Sequence, residues 1–225
     1  MISTKLNANG RFTYIVVALA LTGGGFIHPT GDAEAQSRAD SVMAPRFGAN
    51  ISLGLGGELE LDTDYYEQDD DAVATVGVEA FADFPLHHNF TLGGFTRFQS
   101  FNGEYASDNN IDRSTALVFG VVPRARLPIS VGSGTIEVHG SLPIGMTVAF
   151  LSDDAARSLG GNDASAGVGF TVGVLAGADY YVDGHHGIRL QLGYVYHSYN
   201  SEVSNTDGTL SGGQFALNLG YAYAL

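Results

Sequence analysis

Apolar residues alternate with small or polar ones along eight segments of this chain, and a side-chain period of two is the mark of a strand with two unlike faces. The last stretch, FALNLGYAYAL (215–225), shows it most plainly. Phe215, Leu217, Leu219, Tyr221, Tyr223 and Leu225 share one face, opposite Ala216, Asn218, Gly220, Ala222 and Ala224. In RFGANISLGLGGELEL (46–61), Phe47, Ala49, Ile51, Leu53, Leu55, Leu59 and Leu61 oppose Asn50, Ser52, Glu58 and Glu60. Residues 73–84 set Val76, Val78, Ala80, Ala82 and Phe84 against Thr75, Gly77, Glu79 and Asp83, and residues 90–101 set Phe90, Leu92 and Phe98 against Thr91, Gly93, Arg97 and Gln99. Segment 114–127 is apolar on both faces in its first half, but Arg124 and Arg126 fix the polar parity. Segment 135–151 sets Ile136, Val138, Leu142, Ile144, Met146, Val148 and Phe150 against Glu137, His139, Ser141 and Thr147. Segments 166–182 and 188–199 place Asp179, Arg189 and His197 on the polar side, and 211–225 completes the set.

The composition agrees with an all-β chain. Glycine, at 31 residues, is about twice its ordinary share, which disfavours helices. The absence of cysteine removes disulfides and thiolate metal sites. A net charge of −14 argues against a nucleic-acid partner, because phosphate neutralisation needs Lys and Arg. At the N-terminus, Lys5 and Arg11, the apolar run 12–27 and Ala33-Glu34-Ala35 read as a secretory signal peptide over 1–35, cleaved before Gln36. A short segment, 36–45, then precedes the barrel, 46–225.

Loop lengths supply a second signal. Links after the second, fourth and sixth segments (85–89, 128–134, 183–187) are short, and those after the odd segments are longer. Transmembrane barrels show this asymmetry, with tight periplasmic turns and long outer loops. The faces decide between lipid and a soluble cup. The interior of an eight-stranded barrel barely accommodates side chains, so several Leu, Phe, Val and Tyr from every strand would overfill it. Gly, Ser, Thr and sparse charges fit inside, which leaves the greasy face outside, in lipid. The expected fold is an eight-stranded antiparallel up-and-down transmembrane β-barrel.

With these strands, loops and terminal segment, the mature chain resembles the small eight-stranded outer-membrane barrels of the OmpA transmembrane-domain and OmpX-like superfamily. The hairpins ADFPLHHNFTLGGF (82–95) and ADYYVDGHHGIRLQLGY (178–194) carry the likeness. The resemblance implies signal-dependent export to the bacterial outer membrane, contact with its lipid and lipopolysaccharide, and handling by periplasmic chaperones and the barrel-assembly machinery. In such families the last strand is the assembly signal. Phe215, Leu217, Leu219, Tyr221, Tyr223 and Leu225 keep its alternation, but Leu225 stands where Phe is usual.

The lumen is expected to hold Glu58, Glu60, Glu79, Asp83, Arg97, Arg124, Arg126, Glu137, His139, Asp179, Arg189 and His197 as a charge network. Hairpin register brings Arg126 to Glu137, Arg124 to His139, Glu79 to Arg97 and Asp179 within reach of Arg189. Opposite signs should pair there, since a lone buried charge is costly. That network reads as a structural plug or, alternatively, as a gated conduit for ions or small solutes. The first long loop is densely acidic, with Asp62, Asp64, Tyr65, Tyr66, Glu67, Asp69, Asp70 and Asp71 as a surface that solvates, attracts a divalent cation or meets an extracellular ligand. His197 and Ser198 point to opposite faces, which argues against a lipid-modifying enzyme. Neither the His87-His88 and His185-His186 turns nor the scattered glycines make a metal or nucleotide site, and no cofactor is expected. The sequence describes a monomeric, non-enzymatic barrel with a structural and surface role.

Overall fold

The computed structural model describes residues 43–63, 67–71, 75–101, 114–132, 134–150, 166–203 and 206–225. Its strands are β1 (Arg46–Thr63), β2 (Glu67–Asp71), β3 (Thr75–His87), β4 (Phe90–Phe101), β5 (Ser114–Val131), β6 (Gly134–Ser141), β7 (Ile144–Phe150), β8 (Ala166–Tyr181), β9 (His186–Val203) and β10 (Thr206–Ala224). All pairings are antiparallel, and β10 pairs back onto β1 from Arg46↔Ala224 upward. β2 and β3 pair with β1 in one register, and β6 and β7 both lie between β5 and β8. The ten strands are therefore eight staves of one closed sheet.

Closure gives the chain an outside and an inside with opposite chemistry. Facing out are Phe47, Ile51, Val78, Phe84, Leu92, Phe98, Phe119, Val121, Ile144, Met146, Phe170, Leu190, Leu192, Phe215 and Leu219. Facing in and buried are Asn50, Glu79, Asp83, Thr91, Arg97, Arg124, Arg126, Glu137, His139, Thr147, Thr171, Asp179, Arg189, Gln191 and Asn218. A soluble protein distributes its residues the other way round. With Leu192 59% exposed and Asp179 fully buried, the solvent of the outer face is hydrocarbon.

The structure departs from the sequence expectation in four places. The fifth segment is two strands, broken at Leu142 and Pro143, because proline has no N–H to donate to the ladder. The break preserves parity: Ser141, Pro143 and Thr147 stay inside, while Leu142 and Ile144 stay outside. The acidic stretch is largely strand, with β1 running to Thr63 and β2 pairing Asp62↔Glu67 through Glu58↔Asp71. Likewise, β9 and β10 extend through most of the link expected after the seventh segment, pairing as far as Thr206↔Val203.

The fourth departure is a bulge. Leu55 pairs with Phe215 but Glu58 with Gly213, so two residues, Gly56 and Gly57, oppose one. Their φ values of 61° and 143° are open to glycine and strained for other residues. The bulge falls immediately before Glu58 and Glu60, which the alternation assigned to the lumen. The side chains of both, and those of Asp62, Glu67, Asp69, Asp70 and Asp71, lie outside the described residues, as do Asp64, Tyr65 and Tyr66 altogether.

The short turns are built locally. In the β8–β9 turn the Asp183 carboxylate accepts the backbone N–H of His185 (3.0 Å) and His186 (2.7 Å), which holds its pKa below the ordinary carboxylate value. Gly184 follows at φ 82°. At this rim His186 Nδ1 hydrogen-bonds the Tyr221 hydroxyl, and its ring lies 5.2 Å from that of Tyr223. Tyr221 and Tyr223 thus stand at the short-turn rim, the level at which barrels carry an aromatic girdle and where a charge is expected to cost little. Leu192, midway along the outward residues of β9 from Ile188 to Tyr196, is the deeper position. We expect Leu192→Arg to destabilise the barrel in lipid by about 2–4 kcal/mol and Tyr223→Arg by about 0–1 kcal/mol, as read from denaturant unfolding in vesicles. Equal costs would contradict the assignment of the outer face.

Candidate functional site: the charged lumen

Six staves send charged or polar side chains into the half of the lumen nearest the short turns. Arg46 comes from β1, Asp83 from β3, Arg124 and Arg126 from β5, Glu137 and His139 from β6, Asp179 and Tyr181 from β8, and Arg189 from β9. Each is inward because its strand alternates, and each is at most 3% exposed.

Arg189 is the hub. Its Nε and Nη2 donate to the two oxygens of Asp179 at 2.9 and 2.7 Å, a fork-on-fork contact, and Nη2 also reaches Asp83 Oδ2 at 2.8 Å. Its guanidinium lies 3.8 Å from the centroid of the Phe81 ring. Asp83 also accepts from Arg124 Nη1. Asp179 further accepts from His139 Nε2 at 3.2 Å and from the Tyr181 hydroxyl at 3.5 Å. A second knot centres on Glu137, which accepts from Arg46 and, at 3.1 Å, from Arg126 Nη1. Arg126 Nη2 reaches the His87 carbonyl at 3.3 Å, and Arg46 lies 4.9 Å from the Tyr181 ring. Phe81, Phe95, Val118, Val122 and Ala222 pack as an apolar collar within the barrel.

Toward the long-loop end, Glu79 holds both Arg97, through Nε at 3.0 Å and Nη2 at 2.6 Å, and Asn50, at 2.7 Å. A neutral chain crosses the same half. Thr75 Oγ1 donates to Gln214 Oε1 at 3.0 Å, and the Gln214 amide meets His197 Nε2 at 3.5 Å. His197 Nδ1 meets Thr171 Oγ1 at 2.7 Å, and Thr171 bonds Thr147. The amide donates to His197 Nε2, so the neutral ring carries its proton on Nδ1, an assignment made from the network.

Three expected pairs are present: Arg126 with Glu137, Glu79 with Arg97, and Asp179 with Arg189, the last directly opposite in register. The fourth is a proximity without a bond: Arg124 and His139 are diagonal neighbours on the inner face, but Arg124 lies opposite Ser141 and bonds Asp83, while His139 bonds Asp179 across the next strand pair. Hairpin register considers one neighbour, whereas a closed lumen offers partners from across the ring. Sequence reasoning also missed Arg46, which has the same parity as Asn50 and Ser52 but stands at the strand's first residue. Gln191, Gln214 and Asn218 were passed over because they carry no charge.

His197 is buried beside Thr171, while Ser198 belongs to the outward parity, so the two do not form a dyad. His87 and His88 stack at 3.8 Å on an exposed turn, and His185 Nδ1 meets the Ala224 carbonyl at 3.0 Å. Among the described residues no group of three or more His, Asp or Glu side chains converges on a point suited to a metal ion.

The sequence matches no family model and no curated protein sequence. The structure matches the outer membrane protein OprG from Pseudomonas aeruginosa with a TM-score of 0.54 at 10% identity, covering 81% of this chain and 96% of that one. The chain has the fold of a small outer-membrane β-barrel. Looser likenesses are to Neisserial surface protein A (TM-score 0.42, 12% identity, 80% of this chain and 97% of that one) and to Ail, the attachment invasion locus protein of Yersinia pestis (0.39, 16%, 78% and 98%).

Because Asp179 joins Arg189, His139 and Tyr181, Asp179→Ala should leave buried cationic and polar groups without their shared acceptor. The expected loss is about 3–5 kcal/mol, read as a fall in the temperature at which the folded band converts to the unfolded one on a gel. An unchanged conversion temperature would mean that the network does not hold the barrel.

Proposed function

We propose that this chain is an integral protein of the bacterial outer membrane whose lumen is a plug and whose work is structural and done at the cell surface. The observation that carries the reading is the interlocked network at the short-turn end. Asp83, Glu137 and Asp179 each accept from at least two partners on other staves, so opening a path would require several buried ion pairs to separate together. Such separation leaves charges unpaired in a medium where each costs several kcal/mol. The apolar band supports residence in lipid, and the alternating outward residues of β10 support its role as the assembly signal.

On this reading both termini and the short turns lie in the periplasm, and the long links face outward. Lipid and lipopolysaccharide surround the band, and chaperones and the assembly machinery handle the chain before insertion. The acidic stretch 62–71 faces outward, where it solvates the surface and offers carboxylates to a divalent cation or an extracellular ligand. No catalytic step is included, since His197 is engaged with Thr171 and Gln214 inside the wall.

The test is reconstitution of the full chain in planar bilayers. The expected result is a silent membrane, with discrete conductance appearing only when Asp83→Asn and Glu137→Gln are combined. Steady single-channel steps from the unaltered protein would replace this reading with that of a narrow passive pore.

A further inference from the structure

Among the described residues, the short-turn half of the lumen holds four guanidiniums, Arg46, Arg124, Arg126 and Arg189, and three carboxylates, Asp83, Glu137 and Asp179. At the other end Arg97 and Glu79 cancel. Asp183 and Leu225, at the short-turn rim, are exposed to solvent. Among the described residues the short-turn half thus carries one guanidinium more than its carboxylates, in a setting where an uncompensated charge is strongly unfavourable.

A second observation locates the surplus. Nine buried side-chain atoms among the described residues have no hydrogen-bond partner there, and four of them, Arg124 Nε, Arg126 Nε, His139 Nδ1 and Ser141 Oγ, belong to neighbouring residues. Their residues form one block on the wall. Arg124 is paired with Ser141 and Arg126 with His139, on adjacent strands β5 and β6, and all four side chains face in and are at most 3% exposed. The two Nε–H groups and the serine hydroxyl are donors. His139 Nδ1 is an acceptor while Nε2–H is committed to Asp179, so a water donating to it would complete a mixed shell.

We propose that this block is a binding site for one small monovalent anion of halide size, whose charge offsets that excess. Arg124 and Arg126 already commit their Nη1 groups to Asp83 and Glu137, so the remaining Nε–H donors bind the anion without dismantling either pair. A closed eight-stranded lumen has little room beyond its own side chains, which selects a monatomic ion over a phosphate or a sugar acid. Arg126 also touches the His87 carbonyl at the β3–β4 turn, so the block lies close behind the short-turn mouth. The ion is a static part of the plug, and its presence is independent of whether the barrel conducts.

The test uses the purified full chain in detergent with bromide as the probe. Thermal conversion of the folded band is followed in rising sodium bromide against sodium gluconate at equal ionic strength, and bromide is located by anomalous scattering in crystals. The expected result is a saturable rise in conversion temperature with bromide alone, and a bromide peak between Arg124, Arg126 and Ser141. Ser141→Ala, which removes a donor and leaves every ion pair in place, should weaken the apparent bromide affinity by about tenfold or more. Arg124→Gln should abolish the bromide effect; should that variant not assemble, Ser141→Ala alone decides. Equal stability in bromide and gluconate, a bromide peak elsewhere only, or an unaltered affinity in Ser141→Ala overturns the proposal.

Discussion

Closure of the β1–β10 seam is the constraint on which everything else depends. A backbone N–H or C=O facing hydrocarbon has no water to bond, and an open sheet would leave a whole row of them on each edge. Pairing of β10 with β1, from Arg46↔Ala224 to Thr63↔Gly208, removes both edges. It does so with an interruption only at the Gly56–Gly57 bulge, where the ladder shifts by one residue and continues. Once the ring is closed, every inward side chain shares a narrow space with those of strands far away in sequence, and every outward one meets lipid.

That shared space explains why the charges are arranged as they are. Five arginines lie within the described residues, and all five are in the lumen. Arginine suits this environment because its planar fork binds two acceptors at once and its face stacks on rings. Arg189 does both, joining β9 to β8 and β3 while lying against Phe81. Arg126 fastens Glu137 from the neighbouring stave and Arg46 fastens it from β1, so each knot also ties in a stave that shares no turn with its acceptor. Such pairs contribute little net stability relative to well-packed apolar residues, but losing one member is expensive. The lumen is therefore a structure of mutual obligation, with glycine and threonine filling the gaps beside the large guanidiniums.

Much of this was legible beforehand. Strand parity, stave number and the position of the short turns follow from side-chain period and link length, and the inward placement of Asp83, Arg124, Asp179 and Arg189 follows from parity alone. Pairs formed between adjacent staves, such as Glu79 with Arg97, were legible too. The contact of Arg124 with Asp83, separated by 41 positions, and of Arg46 with Glu137, separated by 91, were not. They depend on ring curvature and on the reach of long side chains, neither of which the linear pattern contains. The dense acidic stretch reads as loop because Asp is rare in strands, yet pairing with β1 overrides that weak preference. The double glycine at 56–57 was the visible signal for a bulge, and continuous alternation on either side concealed it.

The sequence by itself determined the architecture: period-two alternation, with the bulky apolar residues too voluminous for a narrow interior, leaves one way to form a barrel and one solvent for its outer face. Only the tertiary structure decided which charges meet. Alternation assigns a side chain to a face, but the partner of a buried guanidinium is set by distance across a closed lumen, and that distance exists only after the last strand has paired with the first.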